Sequence, residues 1–193
     1  MASEITQMFS QLNKRDFKTQ NLSSSFFLLI SDIEDDIIKE AIQWVIESNF
    51  SDARPSVLNL LVCSSGGDLR SAFALIDIMR SSHIPVRTIG LGEISSAGLM
   101  IFMAGAKGMR ILTPNTSILS HRFTAGALGK EHELFSIAKE FQLTSDRMLQ
   151  HYKICTGLPE TTIKKYLLPP EDIYLSSEEA LKLKLCDRVA NLS

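Results

Sequence analysis

In the stretch Val86-Arg-Thr-Ile-Gly-Leu-Gly-Glu-Ile-Ser-Ser-Ala-Gly-Leu-Met-Ile-Phe-Met103, an apolar β-branched run gives way to glycine and serine and then to a continuous apolar run. Residues 86–91 predict a buried strand, Gly92 opens a turn, and the run to Met103 has helical character. Ser95 or Ser96 then stands at the start of a helix, where the first backbone N–H groups lack intrahelical acceptors and the dipole is positive. A serine there has a local means of stabilising negative charge on a bound carbonyl. A small residue at the same point is also an ordinary N-cap. The flanking chain decides between the two.

The same strand–turn–helix order recurs on the N-terminal side. Residues 57–63 predict a strand, Ser64-Ser65-Gly66-Gly67-Asp68 a turn, and residues 69–79 a helix. Paired glycines permit positive φ and a close backbone approach by a ligand. Neither a Gly-Lys-Ser/Thr ending nor G-x-G-x-x-G is present, so a phosphate cradle is not indicated. Upstream, residues 26–30 read as a strand. Asp32 to Asp36 suits a helix start, and an apolar stripe of Ile37, Ile38, Ala41, Ile42, Val45 and Ile46 carries that helix to Asn49. Pro55 breaks the chain, and His83 sits where a helix C-terminal cap is expected. Residues 2–14 carry Ile5, Met8, Phe9 and Leu12 on one helical face, followed by a polar arm, giving an N-terminal segment of residues 1–25.

On the C-terminal side, residues 108–112 and 117–120 predict two short strands, with His121 at the end of the second. Residues 124–130 are rich in small side chains and are expected to be extended. Residues 131–152 form the longest predicted helix, with Leu134, Phe135, Ile137, Ala138, Phe141 and Met148 as its apolar face. His132 and His151 lie in it among polar neighbours and are expected to be solvated. A short helix over 159–167, a rigid turn at Pro169-Pro170-Glu171-Asp172 and a strand over 173–175 follow. Ser177 is placed to cap a last helix, and residues 186–189 close the fold.

Composition sets the outer limits. With 193 residues, 45% hydrophobic and 22% charged, the chain has the make-up of one globular domain, residues 26–193. A formal net charge of −2 gives no electrostatic footprint for nucleic acid. No apolar run reaches bilayer length, and the N-terminus lacks signal-peptide character. Cys63, Cys155 and Cys186 are odd in number and lack metal-ligand spacing, so reduced core cysteines in a cytoplasmic compartment are expected, with no metal or cofactor.

Apolar strands alternating with helices predict an α/β layer structure with a largely parallel sheet buried on both faces. In such sheets functional turns follow the carboxyl ends of strands, and Gly66-Gly67, Ser95-Ser96 and His121 all occupy such positions. These turns together resemble the Clp proteolytic subunit family, ClpP. The family carries Ser-Pro-Gly-Gly, Ala-Ser-Met-Gly, Met-Ile-His-Gln-Pro and Arg-Asp-x-Phe-hydrophobic-Ser segments in that order. Here they read Ser64-Ser65-Gly66-Gly67, Ser95-Ser96-Ala97-Gly98, Leu119-Ser120-His121-Arg122-Phe123 and Glu171-Asp172-Ile173-Tyr174-Leu175-Ser176. The likeness extends from Phe26 to Val189.

The resemblance implies a ClpP/crotonase-like fold of repeated strand–helix units with a protruding strand–helix handle over residues 123–155. It implies a serine endopeptidase with Ser96 as nucleophile, His121 as general base and Asp172 as the acid that orients it. Gly67 and Ala97 match the oxyanion-hole donors, and the gap-free spacing from Gly67 through Ser96 to His121 favours Ser96 over Ser95. Asp68 and Leu69, with Phe123, Thr124, Ala125 and Gly126, would pair with an unfolded polypeptide substrate. Two stacked seven-membered rings of identical subunits and a ring-shaped ATPase unfoldase as partner are implied as well, without nucleic acid or membrane.

Some positions depart from the pattern. Ser65 stands where the family has proline, Arg122-Phe123 where it has Gln-Pro, and Pro170-Glu171 where an Asp-Arg pair is common. Asn59 and Leu61 replace tyrosines of the partner-docking pocket. A catalytically silent ring subunit of the same fold is the alternative reading; an acyl-CoA enzyme of crotonase type is a third.

Overall fold

A computed structural model describes residues 25–52 and 54–190. The helix and arm expected before Ser25 lie outside the described residues. In chain order the elements are β1 (Phe26–Ile30), α1 (Asp35–Phe50), β2 (Leu58–Ser64), α2 (Leu69–Ser81), β3 (Val86–Ser95), α3 (Ala97–Met103), β4 (Arg110–Leu112), β5 (Ser117–Ser120), α4 (Glu131–Thr156), α5 (Glu160–Tyr166), β6 (Ile173–Leu175), α6 (Ser177–Lys182) and β7 (Arg188–Val189). Ser120–Ile173 forms one compact unit, and the described residues up to Leu119 with those from Tyr174 onward form another.

In the first unit the strands run in the order β1-β2-β3-β4-β7, with every neighbouring pair parallel. Parallel neighbours need crossover connections, and α1 and α2 supply them between β1, β2 and β3. The buried side of α1 is Ile38, Ala41, Val45 and Ser48, and that of α2 is Ala72, Leu75, Ile76 and Met79. Both sets fall at helical spacing, as the apolar stripes required. All five residues of β2 from Leu58 to Val62 are buried, as befits a strand covered on both faces. Helix α3 is buried at all seven positions, which explains why its sequence is apolar all round.

β3 differs from its expected form. It continues past Gly92 to Ser95, and it changes neighbour along its length: Thr88–Gly90 pairs with β4, whereas Glu93–Ser95 pairs with β5. Between Val62↔Gly90 and Ser64↔Ile94, one residue of β2 faces three of β3. The surplus is absorbed by a bulge at Gly92, φ 65°, where a side chain would meet Cys63 Sγ at 3.1 Å. The glycine that reads as a turn is a bulge inside a longer strand.

Smaller differences have local causes. Ser176, not Ser177, caps α6: its Oγ accepts the Glu179 N–H while Glu179 Oε2 accepts the Ser176 N–H, a reciprocal box that needs the glutamate three residues on. Ser177 is buried and donates to the Thr113 carbonyl at 2.8 Å. His83 does not cap α2 with its ring; Ser82 is the cap residue, and the His83 backbone N–H donates to Asn49 Oδ1 at 2.9 Å.

The C-terminal strand is fastened by charge. Arg110 reaches Asp187 through Nε to Oδ2 at 3.0 Å and Nη2 to Oδ1 at 2.6 Å, and its backbone N–H also donates to Oδ2. The Asp187 N–H returns to the Arg110 carbonyl at 2.9 Å, and Ala190 N–H reaches Leu112 O at 2.8 Å. These bonds set β7 beside β4.

The second unit is built on α4 and α5. Its interior holds Met148, Tyr152, Ile163, Leu167 and Leu168. Tyr152 is fully enclosed, burial pushes its phenol pKa up, and its hydroxyl is 2.7 Å from Ser120 Oγ. Ser120 Oγ in turn donates to the Leu167 carbonyl at 2.5 Å. Two expectations change here. His151 is buried, with Thr144, Met148, Tyr152 and Thr156 in the C-terminal half of α4. Of the expected apolar face only Met148 is buried; Leu134 and Phe135 are exposed, and Leu128 just before the helix is completely so. The helix of the expected handle is present, but residues 121–128 before it form no strand. None of the three cysteines is in a disulfide; Cys186 is buried, whereas Cys63 and Cys155 are only partly so.

Candidate active site

Two turns of the first unit meet at the carboxyl ends of β2 and β3. After β2 the chain passes through Gly66 at φ 109° and Gly67 at φ 142°, conformations that side chains rarely adopt. Ile33 fixes this turn. Its N–H donates to Gly66 O at 2.7 Å, and its carbonyl accepts the Asp68 N–H at 2.8 Å. In that parallel bridge Gly67 is the residue opposite Ile33, so its own N–H points to the other side of the strand. A Cβ on Gly67 would lie 2.3 Å from Ile33 O, so only glycine fits. Ser65, which replaces the proline of the resembled family, donates a short hydrogen bond from Oγ to Asp32 Oδ1 and so tethers the turn from outside.

After β3 the chain turns at Ser96, φ 54° and ψ −120°, directly into α3. A non-glycine residue at positive φ costs on the order of 1–3 kcal/mol and persists only where its surroundings over-determine it. Here they do: Ser96 N–H donates to Leu119 O at 3.0 Å, and Ser96 O accepts the Met100 N–H at 3.2 Å. The geometry is that of a sharp strand-to-helix elbow, which pushes the side chain out of the sheet. The two serines are thereby distinguished. Ser95 is buried with its hydroxyl donated to Glu93 at 2.9 Å, whereas Ser96 is partly exposed. Ala97 follows as the first helical residue, whose N–H has no acceptor within the helix.

Gly66 has a part that sequence reasoning missed. A Cβ there would come within 2.7 Å of Ser96 Cβ and 3.3 Å of its Oγ. The glycine pair therefore divides its work: Gly67 turns its N–H outward, and Gly66 leaves room for the serine. The only sequence signal was that both positions are glycine. Gly66→Ala is expected to lower activity at least about 100-fold and to cost about 2 kcal/mol or more of stability. Peptide turnover and urea unfolding of the purified variant check both values, and unchanged activity would remove Gly66 from the site.

Asp68 differs from the strand partner expected of it. Asp68 is the N-cap of α2: its Oδ1 accepts the Ser71 N–H at 2.8 Å, and that bond holds its carboxyl below the usual range. Its backbone N–H goes to Ile33 and its carbonyl accepts Ala72 N–H, so both are taken. Leu69 is already helical, with its N–H at the open first turn.

The other expected residues belong to the second unit. His121 is partly exposed immediately after β5, the strand whose Leu119 pairs with Ser95. Asp172 is exposed immediately before β6, the strand that pairs with β5. Arg122 beside the histidine donates from Nε to the Leu168 carbonyl at 2.8 Å. Phe123 packs edge-on against Phe141, with ring centroids 5.6 Å apart, and Thr124, Ala125 and Gly126 are exposed. Among the described residues no cluster of His, Cys, Asp or Glu is arranged to hold a metal ion, and no helix is long and apolar enough to cross a membrane.

Comparison with known proteins bears on the family of the chain. A family model described as Clp protease matches residues 10–192. The ATP-dependent Clp protease proteolytic subunit of Deinococcus radiodurans is 34% identical over 132 residues, covering 68% of this chain and 64% of that protein. The protein of the same name from Paracoccus denitrificans is 33% identical over 132 residues, covering 68% of this chain and 65% of its own length. The chain thus matches just under two thirds of the length of these curated relatives.

Proposed function

The chain belongs to the Clp protease family, and from that premise we propose that it is a serine endopeptidase acting through an acyl-enzyme on Ser96. The observation that carries this reading is the elbow itself: a serine at φ 54° between strand and helix, beside a turn in which its neighbour must be glycine. A hydroxyl is a weak nucleophile until a base removes its proton during attack, and His121 supplies that base. Asp172 fixes the tautomer of the imidazole and stabilises its cation. The Gly67 and Ala97 N–H groups receive the oxyanion, each worth about 3 kcal/mol in the transition state. His121 then protonates the leaving amine, and water hydrolyses the ester.

The substrate is an unfolded polypeptide or short peptide. Its backbone pairs with the chain at Gly67 and Leu69 on one side and along Phe123–Gly126 on the other, which gives affinity with little sequence preference. The working form is a homo-oligomer of two stacked seven-membered rings, fed by a ring-shaped ATPase in the cytoplasm. The exposed Leu128, Leu134, Phe135 and Leu143 support assembly, since a lone soluble chain rarely leaves so many apolar side chains uncovered in one segment.

A fluorophosphonate probe followed by peptide mapping tests the reading. The expected result is a single adduct on Ser96. An assembled protein that takes no adduct there is the silent ring subunit instead.

A further inference from the structure

Helix α4 carries a second pairing of a nucleophile with a base. Cys155 Sγ lies 3.5 Å from Nε2 of His151, one turn earlier on the same helix. The histidine is buried, at 2% exposure, while the cysteine keeps part of its surface in solvent. We propose that Cys155 is a modification site that takes a low-molecular-weight disulfide, with His151 as its activating base. This inference does not rest on the peptidase reading.

The chemistry is thiol–disulfide exchange. Thiolate, not thiol, attacks a disulfide, so the proton on Sγ must leave as the new bond forms. His151 takes that proton. Sγ bonds to one sulfur of the incoming disulfide, the old S–S bond breaks, and the second sulfur departs as a thiolate. Electrons balance because one disulfide is exchanged for another.

On α4 the neighbours are Tyr152, kept neutral by its burial, and Lys153; from α5, Glu160 reaches Lys153 at 3.9 Å. The carbonyl end of α4 opposes a bare thiolate at Cys155 but favours an imidazolium, so proton transfer within the pair is what makes attack possible.

The two other thiols provide internal controls. Cys186 is buried, and burial pushes its pKa up to about 12, so it is protonated and shielded. Cys63 is partly exposed like Cys155 but faces the Gly92 bulge rather than a histidine. Cys63 and Cys155 are thus alike in being partly exposed, and of the two it is Cys155 that stands beside a histidine. Modification would also reach the peptidase side of the second unit, because Tyr152 in the same helical turns holds Ser120, the residue before His121.

Reaction of the reduced full-length chain with the aromatic disulfide 5,5′-dithiobis(2-nitrobenzoate), read by release of the coloured thiolate and by peptide mapping, tests this. Cys155 is expected to react about 10-fold or more faster than Cys63, and Cys186 only after unfolding. Cys155→Ser should remove the fast phase, and His151→Gln should slow it about 10-fold without touching the Cys63 phase. In case His151→Gln fails to fold, the ultraviolet thiolate absorbance of the wild-type protein against Cys155→Ser supplies the second measure. A thiolate present near neutral pH in the wild type alone supports the pair. A fast phase that survives Cys155→Ser, equal rates for Cys155 and Cys63, or a folded His151→Gln with unchanged kinetics overturns the proposal.

Discussion

Replacing Ser96 by alanine is expected to lower kcat for peptide hydrolysis by about 10⁴- to 10⁶-fold while leaving KM close to its wild-type value. The hydroxyl takes part only in bond making, so its loss removes a transition-state interaction and little ground-state binding. A companion substitution separates chemistry from architecture. At φ 54° the position favours glycine, so Ser96→Gly should be as inactive as the alanine variant yet gain about 1 kcal/mol of stability. Turnover of a fluorogenic peptide and urea unfolding of both variants provide the measurements. Residual activity within ten-fold of wild type, a loss judged against about 1.4 kcal/mol per decade, would show that another group attacks. A Ser96→Gly protein less stable than wild type would show that the serine is not held under strain.

Asp187→Ala is expected to be the most damaging change to stability, at about 3–5 kcal/mol, because it removes the carboxylate that pairs with a charged Arg110 side chain only 7% exposed. Burial raises the pKa of Asp187, but the hydrogen bonds and charge of Arg110 more than offset this and hold it below the ordinary carboxylate value. The sign follows from that direction. A carboxyl with a lower pKa folded than unfolded stabilises the protein above the unfolded value, about pH 4, and the contribution is lost as pH falls through the folded value. The gap in unfolding free energy between wild type and variant should thus be full at pH 7 and shrink below pH 4. Denaturant titrations at both pH values check it; a constant gap would mean that packing, not the ion pair, holds β7.

How much was legible in the chain depended on whether a residue's partner was near in sequence. The strands and helices of the first unit followed from hydrophobic period alone, since the same apolar spacing that marks β2 or α1 also buries it. Gly92 did not, because a glycine after an apolar run is equally a turn or a bulge; its role is set by Cys63, far away in sequence. The choice between Ser95 and Ser96 rested on resemblance, whereas in the structure it rests on the bond from Ser95 to Glu93. His151 read as solvated because its sequence neighbours are polar, but α4 changes from exposed to enclosed along its own length, a tertiary property that no local window contains. Asp68 was legible as a turn residue but not as one whose backbone is already spent on Ile33 and Ala72. Gly66 could be recognised as permissive, yet nothing in the sequence says that the space it leaves belongs to a side chain thirty residues on.

The bulge in β3 also makes the length of chain beyond it a fixed quantity. Between Gly92 and Ser96 the strand alternates faces with each residue, so a single insertion or deletion there would present the hydroxyl to the opposite side of the sheet. The three positions between Gly92 and Ser96 therefore do not tolerate a change of length. Variation among natural versions of this segment should be confined to side-chain identity, with the count of residues held constant.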